Sequence, residues 1–579
     1  MKPRLQSYRI FRGALCLSQN RSLPFSDVVI EVTKSFLCAV FLTVLSFVHG
    51  NAIAAGTETD NKIWSVLLIT VDSMRPDHMS LYGYGRETTP QLAKFAEESM
   101  VFENAFATSG WTSPGVISLL TGYYPPVHGQ NGRYSFYDKA LTSPLRVLAA
   151  EGYDILGHIK SGPTVKDLGI QREIRPNPLL ARPKLENFIE LRSAHDAPFF
   201  AWLHLRETHL PYTPSDASAA RWTNMTHTSP GIEAVQNHRM ILRPQDVDVE
   251  YRHAGRVQFS DQDVPIIRSL YDGEMADVDE RLGRALVRMR QTGLLDRTVV
   301  IITADHGEEL FEHGWIGHAS TSYDGKLYDE IIRIPLIIRL PDQSVVGRFD
   351  ALVQGVDIMP TIFDVLGIPR DRIDPAMQGR SLFPAAKGEE AFSRRYVFSQ
   401  TTLKGWTTPS EEMRSRVISV RTKTHKLIWI PKENGYRIEG YHLGEDPQEA
   451  NDIYASRKAE FSDLEQALHD WSEENRRVAG ALVSSGAERR VSTLIEALRS
   501  ADLLEAVRNW ESIAMLERTW GMEVDPFFDH EPYRSHWRKI RSAASLLIAK
   551  ALACHADGGN FRQIDPSRSP DAENWQCHR

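Results

Sequence analysis

The run IWSVLLITV, residues 63–71, is apolar and rich in β-branched residues, and it stops abruptly at Asp72. Nine such residues without polar alternation predict a strand buried on both faces, the kind found in parallel sheets covered by helices. The chain beyond it keeps the same grammar. TPQLAKFAEES predicts a helix with Thr89 as its N-cap and Pro90 at its first position. Leu141 to Glu151 predicts another helix, and a strand begins at Tyr153. PFFAWLHL (198–205) reads as a second doubly buried strand. In Ile267 to Gln291, Leu270, Met275, Val278, Leu282 and Leu286 keep helical spacing, and Gly293 supplies the stop. TVVIITA (298–304) is a third buried strand and ends at Asp305; RIPLIIRL (333–340) is a further one, and Asp357 to Gly367 forms a short capped helix. Strands alternating with helices define an α/β domain, a mostly parallel sheet sandwiched by helices.

From about Arg394 the strands become shorter and alternate in polarity, in RRYVFSQ, RVISVRT and HKLIWIP, which predicts a smaller, mainly antiparallel sheet. A helix over about Ala459 to Asn475 closes it, and the remaining tail is helical in pattern, with Leu503 to Trp520 and Trp537 to Cys554 amphipathic. The expected organisation is a catalytic domain over 60–385, a C-terminal subdomain over 390–475 and a helical extension over 476–579.

Ahead of these lies a segment of another kind, residues 1–55. Its apolar run Phe36 to Val48, 13 residues long, follows Lys34 and precedes the small residues Ala52 and Ala54. That run is too short to span a bilayer and has the layout of a secretory signal cleaved after Ala54, so the expected location is periplasmic or secreted, with no integral span in the mature form. The stretch before Lys34 exceeds what a signal's basic region needs, an expectation that translation starts near Val28, Val29 or Val32. Among the four cysteines, Cys16 and Cys38 fall in this leader; Cys554 and Cys577 are expected to pair in an oxidising compartment. Across 579 residues, 67 Lys+Arg against 75 Asp+Glu give a net charge of −8, without the basic excess that binding nucleic acid requires.

In open parallel sheets, ligands gather beyond the carboxyl ends of the strands. Asp72 and the pair Asp305-His306 both stand there, and two carboxylates with an imidazole are a natural ligand set for a divalent cation. In GWTSPGVISLLTG, Thr112 precedes a short helix with Pro114 in its first turn and Gly122 at its stop. A helix start offers unpaired N–H groups and a positive dipole end, which favour a tetrahedral oxyanion beside the threonine hydroxyl.

In order along the chain, ITVDSMRPDH (69–78), LYGY (81–84), WTSPGVISLLTG (111–122), HG (128–129), LHLRETHLPY (203–212), ADHGE (304–308), KLYDEIIRIPLIIR (326–339), VDIMPT (356–361) and YHLGEDPQEANDI (441–453) resemble the motifs of the sulfatase family, of the alkaline phosphatase superfamily. The resemblance spans roughly 60–475. It implies an alkaline-phosphatase-like fold, one divalent metal ion on Asp72, Asp305, His306 and Thr112, and Thr112 at the nucleophile position. It also places Lys326, His209 and Lys160 around the charged ester group. The departures bear on the substrate. Sulfatases in the strict sense carry Cys or Ser, converted to formylglycine, where Thr112 stands; threonine cannot be converted. Pro114-Gly115-Val116 lacks the arginine that usually follows, and Ser73 replaces the second acidic residue of the usual Asp-Asp pair. A less anionic site favours Zn²⁺ or Mn²⁺ over Ca²⁺. The expected activity is hydrolysis or transfer of a small-molecule, glycan-linked or lipid-linked anionic ester, with phosphodiester or phosphonate ester favoured. The alternatives are a sulfuric ester hydrolase working without formylglycine and an inactive glycan-binding relative.

Overall fold

Every residue from Ser65 to Val71 (β1) is buried in a computed structural model that describes residues 63–130, 141–157, 168–173, 185–223, 227–237, 259–314, 316–318, 326–402, 416–432, 435–507, 510, 533–564 and 572–578. The signal segment, Cys16, Cys38, Lys160 and most of the helix expected over Leu503 to Trp520 lie outside these residues. After β1 come Pro90–Ala96 (α1), Met100–Phe106 (β2), Thr112–Thr121 (α2), Pro144–Ala150 (α3), Asp154–Gly157 (β3), Arg172–Glu173 (β4) and Phe199–Leu205 (β5). Then follow Asp263–Gln291 (α4), Thr298–Ala304 (β6), the small hairpin Glu309–Leu310 (β7) and Ile316–Gly317 (β8), Arg333–Arg339 (β9), Gly347–Gln354 (β10) and Ile358–Val365 (α5).

These strands form an eight-stranded sheet in the order β10-β2-β9-β6-β1-β5-β3-β4. All pairings are parallel except those of β9, which runs antiparallel between β2 and β6. The centre of the sheet is β6-β1-β5. Val71 is level with Leu205 on one side and Ala304 on the other, so the residues just past these positions emerge together at one end. Helix α1 starts where expected, but Thr89 does not cap it: its hydroxyl accepts the amide of Leu81. The cap comes from α4, whose Asp279 carboxylate accepts the amides of Gln91 and Leu92 at 2.9 and 2.8 Å.

The smaller sheet is antiparallel, in the order Val397–Thr402 (β11), Arg416–Arg421 (β12), His425–Lys432 (β13) and Gly435–His442 (β14). The helix that closes it does not end near Asn475; Ser462–Arg499 (α6) runs unbroken for 38 residues into the tail. Gly480 and Gly486 lie inside it, since an isolated glycine costs a helix only about 1 kcal/mol. Its C-terminal part packs on Tyr533–Ala556 (α7) through Leu494, Leu498, Leu547 and Ile548. Cys554 and Cys577 are joined by a disulfide that holds the hairpin Asn560–Gln563 (β15) and Trp575–His578 (β16) against α7. The two sheets are tied by Lys426 of β13, fully buried, whose ammonium lies 2.9 Å from Asp329 and 2.7 Å from Glu449. Among the described residues, no helix is long and apolar enough to cross a membrane.

Candidate active site

Asp72 and Asp305, just past β1 and β6, meet His204, the penultimate residue of β5, at the carboxyl ends of the three central strands. Their ligating atoms all lie within 4.8 Å of one another, and all three residues are buried. Neighbouring strands are about 4.8 Å apart, so adjacent residues at the ends of β6, β1 and β5 converge on one point. The Asp72 main chain is clamped: its amide donates to Leu205 O (2.8 Å), and its carbonyl accepts Thr208 Oγ1 (2.5 Å). The chain then turns sharply at Ser73, which has φ 65°. Such a backbone costs about 1–3 kcal/mol in a non-glycine residue and needs outside support. Tyr271 of α4 supplies it, donating to Ser73 O at 2.7 Å and accepting the Arg75 amide at 3.0 Å.

After Asp305, Gly307 passes the Glu330 backbone so closely that a Cβ would sit 2.1 Å from its carbonyl oxygen. Only glycine fits there. The crossing is fixed by Gly307 N–H to Ile331 O (2.6 Å) and Glu308 N–H to Glu330 O (2.9 Å).

His306 donates from Nδ1 to Gly307 O at 2.8 Å, which orients Nε2 into the cluster. That nitrogen is 3.4 Å from a carboxylate oxygen of Asp72, 3.4 Å from one of Asp305 and 3.2 Å from Thr112 Oγ1. Both Asp305 oxygens are buried without a hydrogen-bond partner. Lone pairs converging on one point, two of them on an orphaned buried carboxylate, are what a cation resolves. The electrostatics agree. Burial opposes the charge on Asp72, but His209, His204 and His306 outweigh it and hold its carboxyl well below the usual range. Burial pushes the Asp305 carboxyl up against the pull of His306, and the Asp72 charge adds to the rise. The residues present therefore fit a divalent metal, as the donor chemistry of two carboxylates and two imidazoles requires. His204 was not anticipated from sequence. Its Nδ1 is held by Thr70 Oγ1 at 2.9 Å, which aims Nε2 at Asp72, 3.5 Å away.

Thr112 is the first residue of α2, half-buried, and Trp111 before it provides no side-chain cap. Pro114 has no N–H and the Gly115 amide bonds Trp111 O at 3.3 Å, so the first-turn amides that a helix start offers to an oxyanion are those of Thr112 and Ser113. His209 joins the site: its Nδ1 bonds Leu210 O at 2.5 Å, its ring lies 4.9 Å from that of His318, and burial lowers its pKa to about 4. His318, also unanticipated, packs with its ring centroid 4.2 Å from that of His306, tilted by 43°, and pairs through Nδ1 with Glu308 at 3.0 Å. Burial pushes the Glu308 carboxyl up to about 7. The Lys326 ammonium is held by Glu309 at 2.9 and 3.2 Å and by His313 O at 3.1 Å. Glu309 is fully buried and draws the nearest cation.

A mostly parallel α/β sheet with a carboxylate–imidazole metal cluster at its strand ends and a hydroxyl at a helix start defines a metal-dependent ester hydrolase of the alkaline-phosphatase-like class. The Sulfatase family profile matches residues 65–368, more than half of the chain, and that for the C-terminal part of N-sulphoglucosamine sulphohydrolase matches 312–477. The chain belongs to the sulfatase family, whose enzymes bind a divalent metal. It is 23% identical over 540 residues to an N-acetylglucosamine-6-O-sulfatase of Bacteroides thetaiotaomicron, covering 78% of this chain and 93% of that one. It is 26% identical over 414 residues to a multifunctional alkaline phosphatase superfamily protein of Trinickia caryophylli, covering 55% and 76%. In structure it resembles the phosphonate monoester hydrolase of Agrobacterium radiobacter, with a TM-score of 0.56, 19% identity, and 72% and 95% of the two chains covered.

Proposed function

We propose that this hydrolase transfers the anionic group of its substrate to Thr112 and then to water or another acceptor, and that phosphodiesters or phosphonate monoesters are turned over faster than sulfate monoesters. The observation that carries this reading is the Thr112 hydroxyl at the start of α2, 3.2 Å from His306 Nε2. Asp72, Asp305, His306 and His204 would hold the metal, with Zn²⁺ or Mn²⁺ favoured by two nitrogen donors over Ca²⁺. When bound, the metal supplies charge that lowers the hydroxyl's pKa and offsets charge on the transferring group.

In the first step Thr112 Oγ1 loses its proton to water and bonds to the central phosphorus or sulfur, and the bond to the leaving oxygen breaks. The Glu308–His318 pair holds a proton beside the cluster to give to that oxygen. His209 is neutral at pH 7 with its Nδ1–H committed to Leu210 O, so its Nε2 can accept a proton from the second nucleophile. A threonine ester has one oxygen and cannot collapse to an aldehyde as a formylglycine ester does. Its release requires attack at the central atom, which relatives of this class manage at phosphorus. The resemblance to N-acetylglucosamine-6-O-sulfatase supports the second reading, a sulfuric ester hydrolase acting without formylglycine on a sulfated sugar. The intact ligand cluster argues against an inactive glycan-binding relative. The signal-like leader supports export to the periplasm or beyond, where the substrate would be a small-molecule, glycan-linked or lipid-linked ester. A panel of chromogenic sulfate monoester, phosphate monoester, phosphodiester and phosphonate substrates, assayed with Mn²⁺, Zn²⁺ or Ca²⁺, tests the reading. An aryl sulfate cleaved at least about tenfold faster by kcat/KM than the phosphorus esters would overturn the preference.

A further inference from the structure

Arg206 follows the last residue of β5 and stands at the rim of the metal cluster, its side chain 46% exposed. Asp72 presents its two oxygens to different neighbours. Oδ1 faces His306 Nε2 at 3.4 Å, while Oδ2 faces His204 Nε2 at 3.5 Å and Arg206 Nε at 3.4 Å. That 3.4 Å ion pair is loose, and among the described residues the Arg206 side chain makes no hydrogen bond. Arg75, three residues after Asp72, is the opposite case: its guanidinium is buried and bonds Asp77, Glu308 O and Glu312.

A guanidinium is a planar fork whose donors match two oxygens of a carboxylate, sulfate or phosphate group. Here such a fork is unspent, half in water and anchored over a metal-ligating carboxylate. Of two other cations expected near the ester group, one is absent from the sequence and the other is paired with a buried carboxylate. No arginine follows Pro114, where the chain has Gly115 and Val116, and the Lys326 ammonium is engaged by Glu309. We propose that Arg206 is a substrate-binding residue: its terminal nitrogens take two free oxygens of the tetrahedral sulfo or phosphoryl group while Thr112 faces the central atom. The proposal rests on the reading that this site takes a tetrahedral oxyanion. It deepens that reading by restricting substrates to esters with at least two free oxygens, which sulfate monoesters, phosphodiesters and phosphonate monoesters share. Arg206 takes over from the β5 side the charge that α2 lacks.

The test separates anion binding from turnover. Full-length Thr112→Ala protein loaded with Mn²⁺ or Zn²⁺ is titrated calorimetrically with inorganic phosphate and with inorganic sulfate. The same titrations are run with Arg206→Gln, Arg206→Lys or Arg268→Gln added. Arg268 is a half-exposed arginine paired with Glu312 and serves as the control. Arg206→Gln should weaken both anions about ten- to hundredfold, the scale of a lost charged hydrogen-bonded pair. Arg206→Lys should recover part of the loss, because it keeps charge without the fork, and Arg268→Gln should change neither affinity. With Thr112 restored, Arg206→Gln should raise KM more than it lowers kcat, at unchanged metal content. The proposal is overturned if Arg206→Gln binds both anions as the parent does, or if it loses the metal, which would make Arg206 only a counter-ion of Asp72. It is equally overturned if the parent binds neither anion. Full activity of Thr112→Ala would overturn the nucleophile assignment alone, since the anion titrations do not depend on turnover.

Discussion

Helix α2 approaches the end of β6 more closely than most side chains permit. A Cβ placed on Gly115 would lie 2.5 Å from the backbone oxygen of Asp305, against a floor of 3.0 Å for real contacts. The obstacle is backbone, so Gly115→Ala must push α2 and its Thr112 away from the metal cluster by at least half an ångström. Catalytic groups need placement within about 0.5 Å, and a misplacement of about 1 Å costs roughly a hundredfold. The expected loss in kcat/KM is therefore about ten- to hundredfold on any verified ester. Stability is the weaker readout. Overpacking costs about 1–3 kcal/mol, while replacing a helical glycine by alanine returns up to about 1 kcal/mol, so the net change is about 0–3 kcal/mol. The assay is steady-state kinetics at saturating metal, with metal content and thermal unfolding measured on the same preparation. Activity within twofold of the parent, with the fold and metal intact, would refute the idea that the α2–β6 contact sets the position of Thr112.

Asp305→Asn should bring metal content from one equivalent to near none by elemental analysis, yet raise the thermal stability of the metal-free protein, because it removes one of two buried carboxylates that repel. His128 accepts the Gln130 amide at Nδ1 and bonds Ser118 through Nε2, and burial lowers its pKa to about 3. The unfolded chain takes up a proton on His128 near pH 6.5 that the folded chain refuses, so this group's contribution is complete above pH 6.5 and falls by about 1.4 kcal/mol per pH unit below it, down to about pH 3. Urea unfolding between about pH 4 and 6 should show a slope about one proton smaller in His128→Asn; an unchanged slope contradicts the assignment. Lys426→Met should destabilise the fold by about 3–5 kcal/mol in urea unfolding, since it strands the buried Glu449 without its cation while Asp329 keeps Arg421 at 3.1 Å; a smaller loss in the double variant with Glu449→Gln would show that the unpaired charge is the cause.

The central strands were readable because β1, β5 and β6 are buried on both faces and so lack polar interruption. Strands β2 and β10 were not, because Glu103-Asn104 and the charged start Gly347–Asp350 break their pattern at an irregular pairing between Phe102 and Ala105 and between Phe349 and Leu352. Strand direction is not encoded in local composition, so β9 read like its parallel neighbours although it runs the other way. Asp72, Asp305, His306 and Thr112 could be placed from strand ends and a helix start alone. His204 could not, because a strand buried on both faces gives no sign of which side chain reaches the end of its neighbour. His318 depends on the two-residue pairing of β7 with β8, and Lys326 on the buried Glu309 that captures it. These are tertiary facts without local periodicity.

The central claim is that Thr112 carries the reaction, and single-turnover kinetics of Thr112→Ala on the best ester from the substrate panel test it most directly, with metal content measured alongside. The account predicts that the metal stays near one equivalent while the single-turnover rate falls about a thousandfold or more, because the covalent step is gone and the cluster remains. A Thr112→Ala rate near that of the parent would contradict it and leave another group as the nucleophile.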